Sequence, residues 1–295
     1  MREIISGNPD TRIVTWISSE WLADHLDDAS LLIVDCRQNS HAYFQEHIPG
    51  AIHLHEELLR MHIGKLPVKW ISPEAAQVLF STLGFEQDRP VVVYSGTRSL
   101  TSSSAATSDG LEQTLVAYSL ARFGCRKVMV LDGGLATWKS ENRKLTQDFG
   151  TSRLSPFTVE VQIEFLIGYE ECVRLKDEPD TILLDTRPLS VYEGQGPWIK
   201  PGHIPGAVNL PTSWMFAKDG SFKEKEVLDV LAAGVIGKDK NREIVTYCDT
   251  GTCCPTWYFM LKEVLGYKRI YLYDGSIEEW TADPNAPVHL NGNNK

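Results

Sequence analysis

Short, wholly apolar runs alternate along the chain with longer stretches in which apolar positions recur at helical spacing. Leu31 to Asp35, Val91 to Tyr94 and Val128 to Leu131 are runs of the first kind; Ser18 to Leu26, Ser72 to Leu83 and Gln113 to Phe123 are of the second. A strand apolar on both faces belongs in a sheet covered on both sides, and strands alternating with helices build a mostly parallel sheet. The pattern predicts an α/β fold.

The pattern also occurs twice. Leu31-Leu32-Ile33-Val34-Asp35-Cys36-Arg37 reads like Ile182-Leu183-Leu184-Asp185-Thr186-Arg187, and His47-Ile48-Pro49-Gly50-Ala51 returns as His203-Ile204-Pro205-Gly206-Ala207. Val91-Val92-Val93-Tyr94-Ser95 matches Glu243-Ile244-Val245-Thr246-Tyr247-Cys248, and Asp132-Gly133-Gly134 with Trp138 matches Asp274-Gly275-Ser276 with Trp280. Four ordered matches at a near-constant offset of about 150 residues mean duplication. The expected division is a domain at 1–150 and a domain at 151–295, each a mostly parallel sheet flanked by helices, with the boundary near Gly150 to Phe157. The second copy gains about six residues, including Trp198 and Lys200, before His203. The first has a Ser/Thr/Ala surplus at Leu100 to Gly110, expected as a surface loop.

Composition narrows the function. A net charge of -10 with no basic block is wrong for neutralising a phosphate backbone or an anionic bilayer, so nucleic acid and membrane are not expected partners. No apolar run is long enough to span a bilayer, the first residues lack a secretory signal, and six cysteines are few for the length. A cytoplasmic protein with free thiols is the expectation.

Cys248, Cys253 and Cys254 crowd together directly after an apolar run, and Pro255 opens a helical pattern behind them. A strand, loop and helix in that order place a thiol at the carboxyl edge of a sheet, where loop N–H groups and a helix N-terminus stabilise a thiolate or an anionic persulfide. Gly251 supplies the turn, while Thr250 and Thr252 either face the sulfur or cap the helix. A cysteine phosphatase would carry Arg where Cys254 stands.

The paired Asp-x-Arg motifs, the paired His-Ile-Pro-Gly-Ala and the cysteine loop together resemble the tandem-domain rhodanese family, over about Trp16 to Trp280. That resemblance implies two rhodanese-like domains of which the second is catalytic. It implies sulfur transfer through a persulfide on Cys248, in the loop Asp249, Thr250, Gly251, Thr252 and Cys253, with no metal or organic cofactor. The implied partners are a small anionic donor, 3-mercaptopyruvate or thiosulfate, and a thiol or cyanide acceptor, a thioredoxin-like protein among them. Arg187 would grip the donor, although Arg37 at the matching place in the thiol-free copy points to a structural share in that motif. Thiosulfate-selective members resemble one another in basic residues after the nucleophile, whereas this loop has Asp249 and Thr250. An inward Asp249 would raise the cysteine pKa.

The remaining residues have blander readings. Asp35 and Asp185 hold loop backbone or the arginine, and His47 and His203 shape turns. Ser95 replaces the nucleophile, making the first copy a scaffold, and Cys36, Cys125 and Cys172 are core. Cys253 and Cys254 are either buried small hydrophobes or resolving thiols for Cys248. Trp198 and Lys200 would line the pocket mouth. The competing function is a non-enzymatic sulfur carrier or thiol redox module; a scaffold with a vestigial loop is the third reading.

Overall fold

The computed structural model describes residues 13–64, 66–96, 111–196 and 198–290. The Leu100 to Gly110 surplus and residues 97–99 after the Ser95 position lie outside the described residues.

The first copy runs β1 (Val14–Ile17), α1 (Ser19–Asp24), β2 (Leu32–Asp35), α2 (Ser40–Gln45), β3 (Ile52–His53), a hairpin of β4 (Arg60–Ile63) and β5 (Leu66–Trp70), α3 (Pro73–Leu83), β6 (Val91–Tyr94), α4 (Glu112–Arg122), β7 (Val128–Leu131) and α5 (Gly134–Ser140). The second runs β8 (Leu166–Ile167), α6 (Tyr169–Leu175), β9 (Thr181–Asp185), α7 (Leu189–Tyr192), β10 (Val208–Asn209), α8 (Lys225–Ile236), β11 (Glu243–Tyr247), α9 (Cys254–Phe259), β12 (Arg269–Tyr273) and α10 (Ser276–Ala282). The apolar runs are the strands, within a residue. The helix ends follow their sequence too: Ser72 Oγ accepts the Ala75 N–H ahead of α3, Pro73 sits in its first turn, and Gly84 at φ +80° ends it.

The strand orders are β1-β7-β6-β2-β3 and β8-β12-β11-β9-β10, the same order twice, with every pair in both sheets parallel. The central strands β6 and β11 are buried at every residue, as helices on both faces require. Register places Asp35 beside Tyr94 in one sheet and Asp185 beside Tyr247 in the other. The motif residues therefore gather at the carboxyl edge, where such sheets bind ligands.

The Gly150 to Phe157 stretch lies along the first sheet's domain: the Ser155 N–H donates to Ser81 O at 3.0 Å, and the Gln162 N–H further on donates to Arg122 O at 2.8 Å. The two copies meet through α4 and α9, each the helix after its own β6 or β11. Thr114 and Thr256 share a hydroxyl hydrogen bond of 2.8 Å, Tyr118 meets Tyr258 edge to face, and one apolar cluster runs through both copies. The β4–β5 hairpin stands outside both main sheets. It reaches from the first copy to the second.

Candidate active site

The duplicated motifs form the same lock in both halves. Asp185 accepts the Arg187 backbone N–H at 3.0 Å and its Nε and Nη2, while Nη2 also donates to Gly202 O at 2.9 Å. In the first copy Asp35 binds Arg37 likewise, and Arg37 Nη2 donates to Glu46 O. The hydroxyls of Tyr94 and Tyr247 accept the N–H groups of Ile48 and Ile204, and the rings of His47 and His203 bond the carbonyls of Tyr43 and Tyr192. Burial works against the Arg187 charge, but Asp185 outweighs it and raises its pKa. Its Nη1 has no hydrogen-bond partner and lies 3.8 Å from Asp249 Oδ1.

β11 ends at Tyr247 and the loop begins at Cys248, whose residue is 0% exposed. The Cys253 N–H donates to Cys248 Sγ at 3.4 Å. Burial pushes the thiol up, but hydrogen bonds from the side chains and backbones of Cys253 and Cys254 overcome it and hold Cys248 well below an ordinary cysteine. The neighbours answer in the opposite sense: the bond to Cys248 and then burial keep Cys253 protonated, and burial followed by the same bond does so for Cys254. One thiolate with two thiol donors is the arrangement a nucleophile needs at neutral pH. Thr186 Oγ1 lies 3.5 Å from Cys253 Sγ, fixing that thiol from the β9 side.

The first three carbonyls of the loop are each held. The N–H groups of Ile277 and Glu278, at the start of α10, donate to Cys248 O and Asp249 O at 3.1 Å, and Arg60 Nη2 donates to Thr250 O at 2.9 Å. The Cys248 N–H donates to Ser276 Oγ at 3.2 Å. Ser276 has φ +49°, where L side chains are uncommon, and the residue matching it in the first copy is Gly134 at φ +54°. A serine in a glycine's place is a signal that comparing the two copies could have used. Gly251 at φ +81° passes close by Asp274 O, where a Cβ would stand at 3.0 Å.

The other loop residues differ from simple expectation. Thr250 and Thr252 bond each other at 3.0 Å, and α9 has no side-chain cap. Asp249 turns to Trp198, whose Nε1 donates to Oδ1 at 2.6 Å. Burial raises the Asp249 carboxyl to about 7 against the pull of Arg187, and the Cys248 charge adds to the rise. Lys200 Nζ ties down the carbonyls of Asp283, Pro284 and Ala286. Cys36, Cys125 and Cys172 are buried, and burial lifts all three thiols out of the reactive range.

At the matching place in the first copy Ser95 Oγ donates to Glu112 Oε2 at 2.6 Å, and the Ser95 N–H donates to Gln113 Oε1. A carboxylate of the first copy thus takes up the side chain that stands where Cys248 does in the second. Among the described residues no cluster of His, Cys, Asp or Glu forms a metal site, and no helix is long and apolar enough to cross a membrane.

Comparison with known proteins agrees with this architecture. The rhodanese-like domain model matches residues 18–141 and again 169–283. A putative thiosulfate sulfurtransferase of Synechococcus elongatus is 30% identical over 93% of this chain and 85% of that protein. The 3-mercaptopyruvate sulfurtransferase of Escherichia coli K12 is 28% identical over 93% and 98%. The sulfur carrier protein TtuD of Thermus thermophilus is 28% identical over 92% and 95%. Among solved structures, the anaerobic ergothioneine biosynthesis enzyme from Chlorobium limicola, in complex with trimethyl histidine, has TM-score 0.83 at 20% identity, over 94% of this chain and 70% of that one. With the domain matched twice over most of its length, and the same strand order built twice, this chain belongs to the rhodanese-like domain family.

Proposed function

We propose that this chain is a sulfurtransferase in which Cys248 carries a sulfane sulfur from a small anionic donor to a thiol or cyanide. The observation that carries the reading is the low-pKa Cys248 in a loop whose Cys253 N–H and neighbouring thiols all donate to one sulfur. In the first step the thiolate attacks the donor's transferable sulfur. From thiosulfate the S–S bond breaks, its electron pair leaves with sulfite, and Cys248 persulfide remains. From 3-mercaptopyruvate the C–S bond breaks, its pair goes to carbon, and the pyruvate enolate takes a proton. In the second step an acceptor thiolate or cyanide attacks the outer sulfur and returns Cys248 as thiolate. The donors group supporting the thiolate serves the persulfide anion equally. No step draws on a metal or organic cofactor.

Arg187 meets the donor through Nη1, the nitrogen that Asp185 and Gly202 leave without a hydrogen bond. A carboxylate or sulfonate there competes with Asp249, which a protonated Asp249 allows. The loop carries no basic residue, which favours 3-mercaptopyruvate over thiosulfate. Six free thiols suit the reducing cytoplasm, where a thioredoxin-like protein would be one acceptor.

Intact mass after mixing with each donor, beside Cys248→Ser, tests the reading. A gain of one sulfur that needs Cys248 and is discharged repeatedly to cyanide or dithiothreitol supports it; no adduct from either donor overturns it. The second reading, a carrier or redox module, is favoured by the two thiols against Cys248 and by the likeness to a sulfur carrier. There, Cys253 or Cys254 attacks the inner sulfur of the persulfide, forming a disulfide and expelling sulfide. Loading from a partner protein without turnover of small donors would favour it.

A further inference from the structure

The β4–β5 hairpin belongs to the copy without a loop thiol, yet its Arg60 ends at the other copy's Cys248 loop and its Lys69 at that copy's Asp274 and Glu279. Arg60, with a side chain only 8% exposed, donates through Nη2 to Thr250 O, places Nη1 3.6 Å from Asp274 Oδ1, and stacks its guanidinium 3.9 Å over the Trp70 ring. Its Nε and Nη1 have no hydrogen-bond partner. Lys69 Nζ reaches Asp274 Oδ2 at 3.2 Å and Glu279 Oε2 at 3.4 Å. A Cβ on Gly251 would come within 3.3 Å of Arg60 Nη2, so the loop crest rests on this guanidinium.

Because a peptide unit is planar and trans, a donor holding the Thr250 carbonyl also fixes the Gly251 N–H in the opposite direction, away from Arg60. The same logic applies to Cys248 and Asp249, whose carbonyls are held by α10. Only the third carbonyl depends on the other copy. A buried guanidinium with two unanswered sites is otherwise costly, and it does not serve only to join the copies, which already share a core through α4 and α9.

We propose that Arg60 is a cross-domain positioning residue that orients the Thr250–Gly251 peptide and supplies positive charge to the Cys248 loop. The first copy thus sets the reactivity of the second. Around Arg60 stand Asp274, Glu278, Glu56 and the thiols of Cys248 and Cys254; beside Cys248 are Cys253, Cys254 and, from the same loop, Asp249 with Arg187. Burial opposes the Arg60 charge, which Asp274 and then Cys248 favour, so the cation and the thiolate support each other.

The inference deepens the proposed sulfur-transfer site, but its readout does not need a donor. The rate of Cys248 alkylation by iodoacetamide is followed against pH in the full chain, with Cys248→Ser subtracting the other thiols. Arg60→Met is expected to raise the midpoint by about one pH unit, as loss of a nearby opposite charge does, and Arg60→Lys to bring it back. Thr114→Val, which breaks the Thr114–Thr256 bond between the copies, is expected to lower Tm and leave the midpoint in place. An unmoved midpoint in Arg60→Met, or an equal shift in Thr114→Val, overturns the proposal. Should Arg60→Met not fold, Arg60→Gln, which keeps a donor for Thr250 O and loses the charge, is held to the same midpoint shift. If alkylation behaves as expected and no donor loads sulfur, the sulfurtransferase reading fails and the role of Arg60 stands.

Discussion

Trp198 Nε1 donates to Asp249 Oδ1 at 2.6 Å, so a residue of the second copy's insertion turns the loop's carboxylate toward Arg187. The insertion thereby joins the site to the lock. Its effect should be visible in pH dependence, because the carboxyl is raised from 3.8 to about 7.

With Arg187 as the proposed donor site, an Asp249 that is neutral below about 7 would leave Nη1 to an anionic donor, and above it the carboxylate would compete. Donor kcat/KM should therefore fall as pH rises through neutrality, and Asp249→Asn should flatten that fall. The sign for stability follows from linkage: the folded state keeps a proton that the unfolded state releases near 3.8, so stability declines with rising pH between 3.8 and about 7 and levels off above. Urea titrations across this range should show that slope shrink in Asp249→Asn.

Ser276→Gly separates strain from function. Glycine suits φ +49°, so Tm should hold or rise, while loss of the Oγ that accepts the Cys248 N–H should slow sulfur loading several-fold. A variant with both Tm and loading unchanged would remove Ser276 from the site.

Asp185→Asn and Asp35→Asn break equivalent locks. Each leaves a buried arginine without its carboxylate, at a cost of roughly 3–5 kcal/mol. Denaturant melts should show similar losses, whereas loading per folded molecule should drop only in Asp185→Asn.

Restoring a thiol to the first copy should not restore chemistry. In a Cys248→Ser background, Ser95→Cys puts sulfur against the Glu112 carboxylate, which disfavours the thiolate. Intact mass should show no sulfur gained from either donor.

The duplication, the sheets and the place of Cys248 directly after a strand are legible because each rests on local pattern. Val91 to Tyr94 is apolar throughout because β6 is central, and Asp35 and Asp185 repeat because each builds the same lock. Arg60 is not legible: it lies in a short run of mixed apolar and polar residues, Leu58 to Ile63, that belongs to neither repeated motif, and its partner Thr250 is 190 residues away. Ser276 was missed for a different reason, since its importance appears only when Asp274-Gly275-Ser276 is set beside Asp132-Gly133-Gly134 and the positive φ is known. The effect of Asp249 on the cysteine could not be read either, because it depends on which way Trp198 turns the side chain.

The packing of α4 on α9 has a consequence for how the molecule comes apart. Each helix packs on its own sheet with one face and on the other helix with another, so separating the copies would expose Tyr118, Trp257 and Phe259 to water together. Neither half is then a domain in the thermodynamic sense, despite its complete set of strands. Heating should give one calorimetric transition whose van't Hoff and measured enthalpies agree, and a cut between the copies should yield two insoluble pieces.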